Sequence, residues 1–259
     1  MKNSKSFVLL AVICLVAATQ FLAGAAGPSI NWGLSPNTRE EVPMAPDGVA
    51  SLFKQYNGLY HADTTEKKVF FTFDLGYEAG YTAEVLDILK EHNIKGIFFL
   101  CGHYLTETEL VKRMLAEGHQ IGNHTDKHKD LPKQSREGAT KDIMDFQNMF
   151  KEQYPDAPAP VYFRPPQGRF DEKTLSIANE NNLKTMLWSI AIVDWGKKPI
   201  DAQKNADKIT SRVHPGAIIL FHITNSGTPQ MLRKLIPQLQ EKGYAIGSPD
   251  EINSNDAGQ

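Results

Sequence analysis

The sequence predicts an α/β fold, a distorted and partly closed β/α barrel of about seven strands. Continuous apolar runs such as Val69–Phe73 and Gly96–Leu100 are typical of strands that are buried on both faces. Between such runs, segments such as Tyr81–His92 place their apolar residues at helical spacing. Strand and helix alternate along most of the 259 residues, a length that α/β barrels commonly occupy as one domain. We therefore expect a parallel sheet whose outer face is covered by helices.

The two ends of the chain are expected to lie outside the barrel domain, which we place at residues 67–248. Residues 1–25 have the features of an export signal, because lysines precede an apolar stretch that ends in small residues. The apolar character continues beyond those small residues, so an uncleaved membrane anchor is the alternative. Both a cleaved signal and an uncleaved anchor would make the protein secreted or extracytoplasmic. The uncleaved anchor would also hold it at the membrane. Proline-rich residues 26–66 predict an extended arm with a short helix at Ser51–Tyr60, and residues 249–259 a polar tail that frays.

The remaining elements follow from the same two patterns, taken in chain order. Helices are predicted at Glu107–Glu117, Ser135–Tyr154, Asp171–Asn181 and Gln230–Lys242. Strands are predicted at Gln120–Ile121, Val161–Phe163, Lys184–Trp188, Ala217–Phe221 and Tyr244–Ile246. Gly118 and Gly243 are expected to end two of the helices, and Ser135 can cap the start of the longest one.

The charge of the chain narrows the classes of partner, and its cysteine content limits disulfide formation. The chain has 28 Lys and Arg against 30 Asp and Glu and contains no basic run, so we expect neither nucleic acid nor an anionic surface as its partner. The sequence indicates no obligate protein partner. Of the two cysteines, Cys14 lies in the predicted signal, which leaves Cys101 alone in the processed chain and excludes an intrachain disulfide there.

A pair of histidines lies in the segment Gly122–Asp130, which reads GNHTDKHKD. His124 and His128 are four residues apart, so on a helical turn they would project from the same face. Imidazole is a common protein ligand for zinc-like metals, and the two rings could therefore converge on one ion. Solvated surface is the alternative, because eight histidines in 259 residues often give this spacing by chance.

Titratable or cationic side chains follow six of the predicted strands. They are Asp74, His103, the pair His124 and His128, Arg164, Asp194 and His222. Each could singly be a cap or a turn residue, but the carboxyl ends of parallel strands meet at one mouth of a barrel, where active sites lie. Two histidines and a carboxylate can hold a divalent ion, a second carboxylate can accept a proton from water, and a further histidine can protonate a leaving amine. This set is suited to metal-assisted amide hydrolysis.

Two further pairings would support that chemistry. Arg164 could pair with Asp74, which would lower the pKa of the carboxyl group and fix its rotamer. Asp194 could accept a hydrogen bond from the histidine that acts as the acid and favour its protonated form.

Five segments together resemble, in order and spacing, the motifs of the NodB-homology polysaccharide deacetylases, a carbohydrate esterase family 4 type. The segments are TFDLG (Thr72–Gly76), GNHTDKH (Gly122–His128), RPPQG (Arg164–Gly168), DW (Asp194–Trp195) and ILFH (Ile219–His222). The resemblance extends from about Lys67 to Tyr244. It implies a distorted β/α barrel that removes N- or O-acetyl groups from chitin, peptidoglycan or xylan.

Within that family, the Ile30–Gly33 segment, the FTFDLGYEAGYT run and the HPGAI segment are most similar to the delta-lactam-biosynthetic de-N-acetylases. This similarity implies a peptidoglycan glycan strand as the partner and N-acetylmuramic acid without its peptide as the substrate, on the way to the muramic δ-lactam of spore cortex.

The family resemblance also assigns roles to residues. It implies that Asp74 is the general base and His222 the general acid, that Arg164 orients Asp74 and that Asp194 tunes His222. It further implies that the backbone N–H of Gln167 helps to hold the oxyanion. His124 and His128 would be metal ligands for a divalent ion such as zinc. Exposed aromatic rings could stack on sugar, and Tyr77, Tyr81 and Trp195 are the candidates.

One position departs from the family pattern. The family places its third metal ligand at the position of Leu75, and leucine has no donor atom, so metal binding is expected to be weakened unless another group substitutes. His103 or Asp126 could do so, although both are more typical of loop residues. A catalytically decayed barrel that binds glycan or serves as a sporulation structural protein is therefore an alternative function. A deacetylase of another polysaccharide, such as chitin, is a second alternative.

Overall fold

The fold is the predicted parallel α/β barrel, seen in a computed structural model that describes residues Pro28–Asn253. The predicted signal at residues 1–25 lies outside the described residues. The strands are β1 (Ile30–Asn31), β2 (Lys68–Leu75), β3 (Ile97–Leu100), β4 (Gln120–Asn123), β5 (Tyr162–Phe163), β6 (Arg169–Phe170), β7 (Lys184–Thr185), β8 (Ile190–Ala191), β9 (Ala217–His222) and β10 (Ala245–Ile246). The helices are α1 (Val49–Gln55), α2 (Thr82–Glu91), α3 (Thr108–Ala116), α4 (Arg136–Gln153), α5 (Glu172–Glu180), α6 (Ala202–Thr210) and α7 (Thr228–Glu241).

The main sheet is parallel and its ends nearly meet. Its strand order is β7-β5-β4-β3-β2-β9-β8, and β10 pairs with the start of β2. The two outermost strands, β7 and β8, are also neighbours in sequence, with only residues 186–189 between them. So short a connection keeps the two edges of the sheet within about 18 Å of each other. The predicted partly closed barrel of about seven strands is thereby confirmed.

The central strand β2 shows how side chains are divided between two layers. Phe71, Phe73 and Leu75 belong to the large apolar cluster that packs the sheet against the surrounding helices. Phe70 instead packs inside the barrel, and Asp74 has the same parity along the strand. The alternation therefore directs Asp74 into the barrel, whereas Leu75 is directed outwards into the helix layer.

The N-terminal arm is bound to the barrel by backbone pairing and aromatic contacts. Strand β1 pairs antiparallel with β6, and the Trp32 indole N–H donates a hydrogen bond of 2.9 Å to the Trp188 carbonyl. The Trp32 ring lies 5.6 Å from the Phe53 ring and 5.2 Å from the Tyr60 ring, centroid to centroid. The short helix begins earlier than predicted, since α1 covers Val49–Gln55.

The C-terminal segment corrects the prediction that the polar tail frays from its start. Residues 249–253 form a 3-10 turn, and Ile252, which is 8% exposed, packs with the apolar side chains inside the barrel. Glu251 forms an ion pair with Lys68 at the start of β2. The apolar anchor at Ile252 and this ion pair therefore attach the beginning of the tail to the domain.

Most predicted helices agree with the structure to within about two residues, but one helix was missed. Helix α6 buries only Ala206 and Ile209, so its sequence has too few apolar residues to show a helical period. Asp201 begins it by accepting a hydrogen bond from the Lys204 backbone N–H. Within residues 28–253, none of the helices has the length and apolar content needed to cross a membrane.

Candidate active site

Asp74 and His222 lie side by side at the carboxyl ends of two central strands. The pairing of β2 with β9 puts their Cα positions directly opposite each other. Asp74 is only 7% exposed, whereas the side chain of His222 is 29% exposed. The site therefore has a buried carboxylate next to an imidazole that reaches solvent.

Arg164 is fully buried and holds Asp74 from the end of β5. Its Nη1 donates to Asp74 Oδ1 at 2.7 Å, its Nη2 donates to Thr72 Oγ1 at 3.0 Å, and its Nε donates to the Met186 carbonyl at 3.0 Å. The guanidinium carbon lies 4.0 Å from the centre of the Phe99 ring. Such a multiply bonded guanidinium fixes both the position and the rotamer of the carboxylate.

The charges around Asp74 keep it ionised despite its burial. Burial by itself raises the pKa of a carboxyl group, but the positive charge and hydrogen bond of Arg164, together with the interactions with His124 and His222, outweigh this and hold the pKa of Asp74 below its usual value. With Oδ1 bound to Arg164, Oδ2 lies 3.6 Å from His124 Nε2. The second oxygen is thus directed towards the histidine pair.

His124 is oriented by a backbone hydrogen bond. Its Nδ1 lies 2.8 Å from the Arg164 carbonyl oxygen, which can only accept, so Nδ1 carries the proton and Nε2 presents a lone pair. Burial lowers the pKa of His124 to about 4, so the ring is neutral at neutral pH. A neutral ring of this tautomer is the form that binds metals.

The two histidines meet, but through a loop instead of the expected helical turn. Residues 124–130 are neither helix nor strand. Thr125 and His128 have positive φ angles of 67° and 52°, and the His128 N–H donates to Thr125 Oγ1 at 2.9 Å. The His124 and His128 ring centres are 4.9 Å apart. The prediction that these rings converge therefore agrees with the structure, while the helical geometry assumed for it was wrong.

Cys101 is a group at this site that the sequence reasoning missed. Its Sγ lies 3.4 Å from the His124 carbonyl oxygen, and the donor atoms of Cys101, His124 and His128 all lie within 4.8 Å of one another. The alternation of side chains along β3 is the signal that could have found it. Phe99 faces the barrel interior, and Cys101, two residues further on, is therefore directed to the same side.

The substitutes considered for the missing family ligand lie elsewhere. His103 is in a 3-10 turn with an exposed side chain, and the Asp126 carboxylate forms an ion pair with Lys127 at 3.1 Å. Leu75 is buried in the helix layer, facing away from the barrel interior. Among the described residues, the three donors that all lie within 4.8 Å of one another belong to the two histidines and Cys101.

Asp194 pairs with His222, as the sequence predicts, through a hydrogen bond of 2.8 Å between Oδ1 and the ring Nδ1. Burial lowers the pKa of His222, but the hydrogen bond and negative charge of fully buried Asp194 outweigh burial and raise it overall. Nδ1–H is donated to Asp194, so Nε2 is the nitrogen that can exchange a proton at the mouth.

The remaining predicted residues surround the mouth or flank it. Gln167 is exposed and has a left-handed backbone, with φ of 60°, in the turn that follows Arg164. Tyr77 and Trp195 are 57% and 59% exposed. Tyr81 differs from them, because it is half-buried and packs against the helix layer, which leaves less of its ring available to a ligand.

The donors at the site fit a divalent ion of the zinc type, which the family resemblance implies. Two imidazoles and a sulfur are ligands that zinc prefers, and His124 already has the tautomer that a metal ligand needs. The donor set therefore suits such an ion although Leu75 supplies nothing to it.

Comparison with known proteins agrees with the resemblance found in the sequence. The model of the family described as "Polysaccharide deacetylase" matches residues 61–186. The peptidoglycan-N-acetylmuramic acid deacetylase PdaA of Bacillus subtilis (strain 168) is 36% identical over an alignment of 249 residues that covers 93% of this chain and 94% of that protein.

Solved structures show the same relationship. The structure of Bacillus subtilis PdaA, a family 4 carbohydrate esterase, has a TM-score of 0.80 and 34% identity, covering 86% of this chain and 96% of that one. BA3943 of Bacillus anthracis, a pseudoenzyme of the same family, has a TM-score of 0.69 and 26% identity over 75% of this chain and 68% of that one. The family predicted from the five motifs is thus confirmed, and the chain belongs to the polysaccharide deacetylase family of amide-bond hydrolases.

Proposed function

We propose that the protein is an extracytoplasmic de-N-acetylase that hydrolyses the N-acetyl amide of N-acetylmuramic acid in peptidoglycan. The observation that carries this proposal is the pairing of Asp74 with Arg164 and of His222 with Asp194 at the adjoining ends of two strands. The near full-length similarity to a peptidoglycan-N-acetylmuramic acid deacetylase supports the choice of sugar. The resemblance to the delta-lactam enzymes supports a peptide-free glycan strand as the substrate and a role in spore cortex, and the signal-like N-terminus supports export.

Asp74 acts as the general base. Arg164 holds Oδ1, and Oδ2 accepts a proton from the attacking water, whose oxygen forms a bond to the acetyl carbonyl carbon. The lowered pKa of Asp74 keeps the carboxylate ionised and able to accept that proton. Burial excludes most competing water, which strengthens the interaction with the positively charged neighbour.

His222, which lies beside Asp74 at the end of the neighbouring strand, acts as the general acid. Its Nε2–H donates a proton to the sugar nitrogen as the carbon–nitrogen bond breaks, which gives free amine and acetate. Asp194 binds Nδ1–H and favours the protonated ring that this step requires. General acid–base assistance of this kind contributes on the order of 10²–10⁴-fold to the rate.

The negative charge that develops on the acetyl oxygen needs a donor, and the backbone N–H of Gln167 is proposed to supply it. The left-handed conformation of Gln167 redirects the backbone in the turn directly after Arg164. His124 and His128 would hold a divalent ion, which would supply Lewis-acid polarisation of the acetyl carbonyl. Tyr77, Trp195 and the more buried Tyr81 are proposed to contact sugar rings at the mouth.

The decisive experiment measures acetate release from purified glycan strands, with and without attached peptide, and from chitin oligomers as a third substrate. The wild-type protein should release acetate, and fastest from peptide-free glycan strands. Asp74→Asn and His222→Ala should each lose at least about 10²-fold in rate. His92→Ala is the matched control, because His92 ends α2 at the opposite end of the barrel. If both site variants kept wild-type rates, the proposed mechanism would be wrong.

A catalytically decayed, glycan-binding barrel is the second candidate, and Leu75 is the observation that favours it. The position has no ligand atom, and one structural relative is a pseudoenzyme. A decayed barrel would bind glycan strands and release no acetate from any of the three substrates. Both acid–base pairs are intact in this protein, however, and a protein that only binds glycan has no need of them.

A further inference from the structure

We propose that Cys101 replaces the carboxylate that is missing at Leu75, and that its thiolate completes a Cys-His-His site for a zinc-like ion with His124 and His128. The site differs from the one that the family resemblance implies, because it uses the sulfur of the residue directly after β3 instead of an oxygen from β2. This assignment goes beyond the proposed function, since binding of the ion can be measured without any glycan.

The strand register places Cys101 where the missing ligand would be needed. Leu75 pairs with Leu100, and the Cys101 N–H donates to the Leu75 carbonyl at 3.0 Å, so Cys101 follows directly at the end of the neighbouring strand. The side chain of Leu75 lies in the helix layer. The Cys101 Sγ instead lies beside the His124 backbone and within 4.8 Å of both imidazole donor atoms.

The orientation of His124 is an independent observation that points to a metal. Metal-binding histidines almost always donate their second ring N–H to a carboxylate or a backbone carbonyl. His124 donates Nδ1–H to the Arg164 carbonyl at 2.8 Å, which leaves the Nε2 lone pair available, 3.6 Å from Asp74 Oδ2. This buried ring therefore already has the arrangement that binding requires.

The donor distances are close to those of a bound ion. Zinc lies about 2.3 Å from sulfur and about 2.0 Å from nitrogen, so tetrahedral ligand atoms are about 3.5 Å apart. The three donor atoms already lie within 4.8 Å of one another. Side-chain movements of about 1 Å would therefore bring them to that spacing. His128 is exposed and gives the ion access. Cys101 and His124 are each only 3% exposed and form the closed side of the site.

Sulfur also decides which ions the site prefers. Thiolate and imidazole together favour zinc and similar ions over magnesium, calcium or manganese, which prefer oxygen ligands. On binding, the Cys101 S–H proton leaves to solvent and the sulfur–metal bond forms in its place. Three protein ligands leave the fourth position of a tetrahedral ion open, the arrangement of catalytic zinc sites.

The test is a titration of the metal-free full chain with Co²⁺, followed by competition with Zn²⁺, in the absence of glycan. A thiolate ligand gives cobalt a sulfur-to-metal charge-transfer absorption band that imidazole ligands alone do not give. Wild type should bind one ion and show this band. Cys14→Ala is the matched control, because it removes the other thiol of the chain and should keep the band, which assigns it to Cys101 without changing the site.

Cys101→Ser should lose the band and bind zinc at least about 100-fold more weakly, with the thermal unfolding midpoint of the metal-free protein little changed. His128→Ala should also bind zinc more weakly. The proposal is overturned if wild type binds no cobalt, if it binds cobalt without the band, or if Cys101→Ser keeps the wild-type zinc affinity. If Cys101→Ser does not fold, the Cys14→Ala spectrum decides the question. None of these outcomes depends on whether the barrel deacetylates a glycan.

Discussion

Both carboxylate oxygens of Asp194 bind His222, one to the ring Nδ1 at 2.8 Å and the other to the backbone N–H at 2.7 Å. Asp194 is fully buried and comes from the loop after β8, whereas His222 ends β9. The double contact fixes the tautomer, the rotamer and the backbone position of the imidazole together. It therefore ties the acid strength of His222 to one residue that does not itself reach the mouth.

Asp194→Asn should move the alkaline limb of the pH–rate profile to lower pH. Asp194 raises the pKa of His222, so removal of its charge lets the ring lose its proton at lower pH, and the acid form is lost earlier. We expect kcat/KM at neutral pH to fall by about 10²-fold or more. Asp145→Asn, which removes the partner of the exposed Lys141, is the control and should leave the profile in place. An alkaline limb that does not shift would contradict the assignment of His222 as the acid.

Arg164→Lys should destabilise the protein by about 3–5 kcal/mol, because a single ammonium group cannot reproduce the four hydrogen bonds of the buried guanidinium and leaves Asp74 poorly paired. The measurement is the free energy of unfolding from urea denaturation. Arg136→Lys is the matched control, because its ion pair with Glu180 is exposed and should contribute less than about 1 kcal/mol. A loss for Arg164→Lys no larger than that of the control would show that the buried pair is not required for stability.

Glu78 fastens the loop that carries Tyr77, and this makes stability depend on pH. Its carboxylate accepts hydrogen bonds from the Gly80 N–H and from the Tyr104 hydroxyl, the latter at 2.7 Å. Burial raises the pKa of Glu78, but the hydrogen bonds from Thr82, Tyr104 and Gly80 outweigh it and lower the pKa overall. The ionised form therefore stabilises the fold above its ordinary pKa of 4.5, and this contribution is lost as the pH falls through the lowered value.

Glu78→Gln tests this pH dependence. The wild type should be more stable than the variant at neutral pH, and the difference in unfolding free energy should shrink as the pH falls below 4.5. Glu109→Gln is the control, since its ion pair with Lys112 is exposed. A difference that stays constant with pH would mean that ionised Glu78 does not hold the loop.

Trp195→Ala and Tyr77→Ala should each raise KM for glycan strands about 5- to 30-fold, with a smaller effect on kcat. Both rings are more than half exposed, and the loss of one stacking contact typically costs about 1–2 kcal/mol. Val161→Ala removes an exposed apolar side chain just before β5, at the amino end of the sheet, and should not change KM. Unchanged KM values in both aromatic variants would remove these rings from the proposed sugar-binding surface.

Several site residues could be found from the sequence because they follow apolar strands that are easy to recognise. An apolar strand ends at or directly before each of Asp74, Arg164 and His222. Because the carboxyl ends of parallel strands meet at one mouth of the barrel, these residues are expected to lie together. Helix α6 was missed because it buries little apolar surface. The burial of Ile252 was missed because a single apolar residue in a polar tail gives no periodic signal.

Cys101 shows the limit of the sequence most clearly. In the sequence, a cysteine that follows an apolar strand cannot be distinguished from a small residue of the core. Its distance to His124 depends on how β3 and β4 are aligned, and one residue of slip would turn it to the opposite face of the sheet. The helical turn expected for the two histidines failed for a related reason, because loop residues with positive φ have no periodic signature.

The sequence by itself determined the order of the long strands and of most helices, the family, and which polar residues stand at strand ends, because side-chain alternation and apolar period are local properties of the chain. The tertiary structure alone decided which of those residues touch. Arg164 reaches Asp74 across 90 positions and Asp194 reaches His222 across 28, and the thiol lies beside the imidazoles while Leu75 turns away. These contacts depend on strand register and on the closing of the sheet, which are set by the packing of the whole barrel at once and by no single segment.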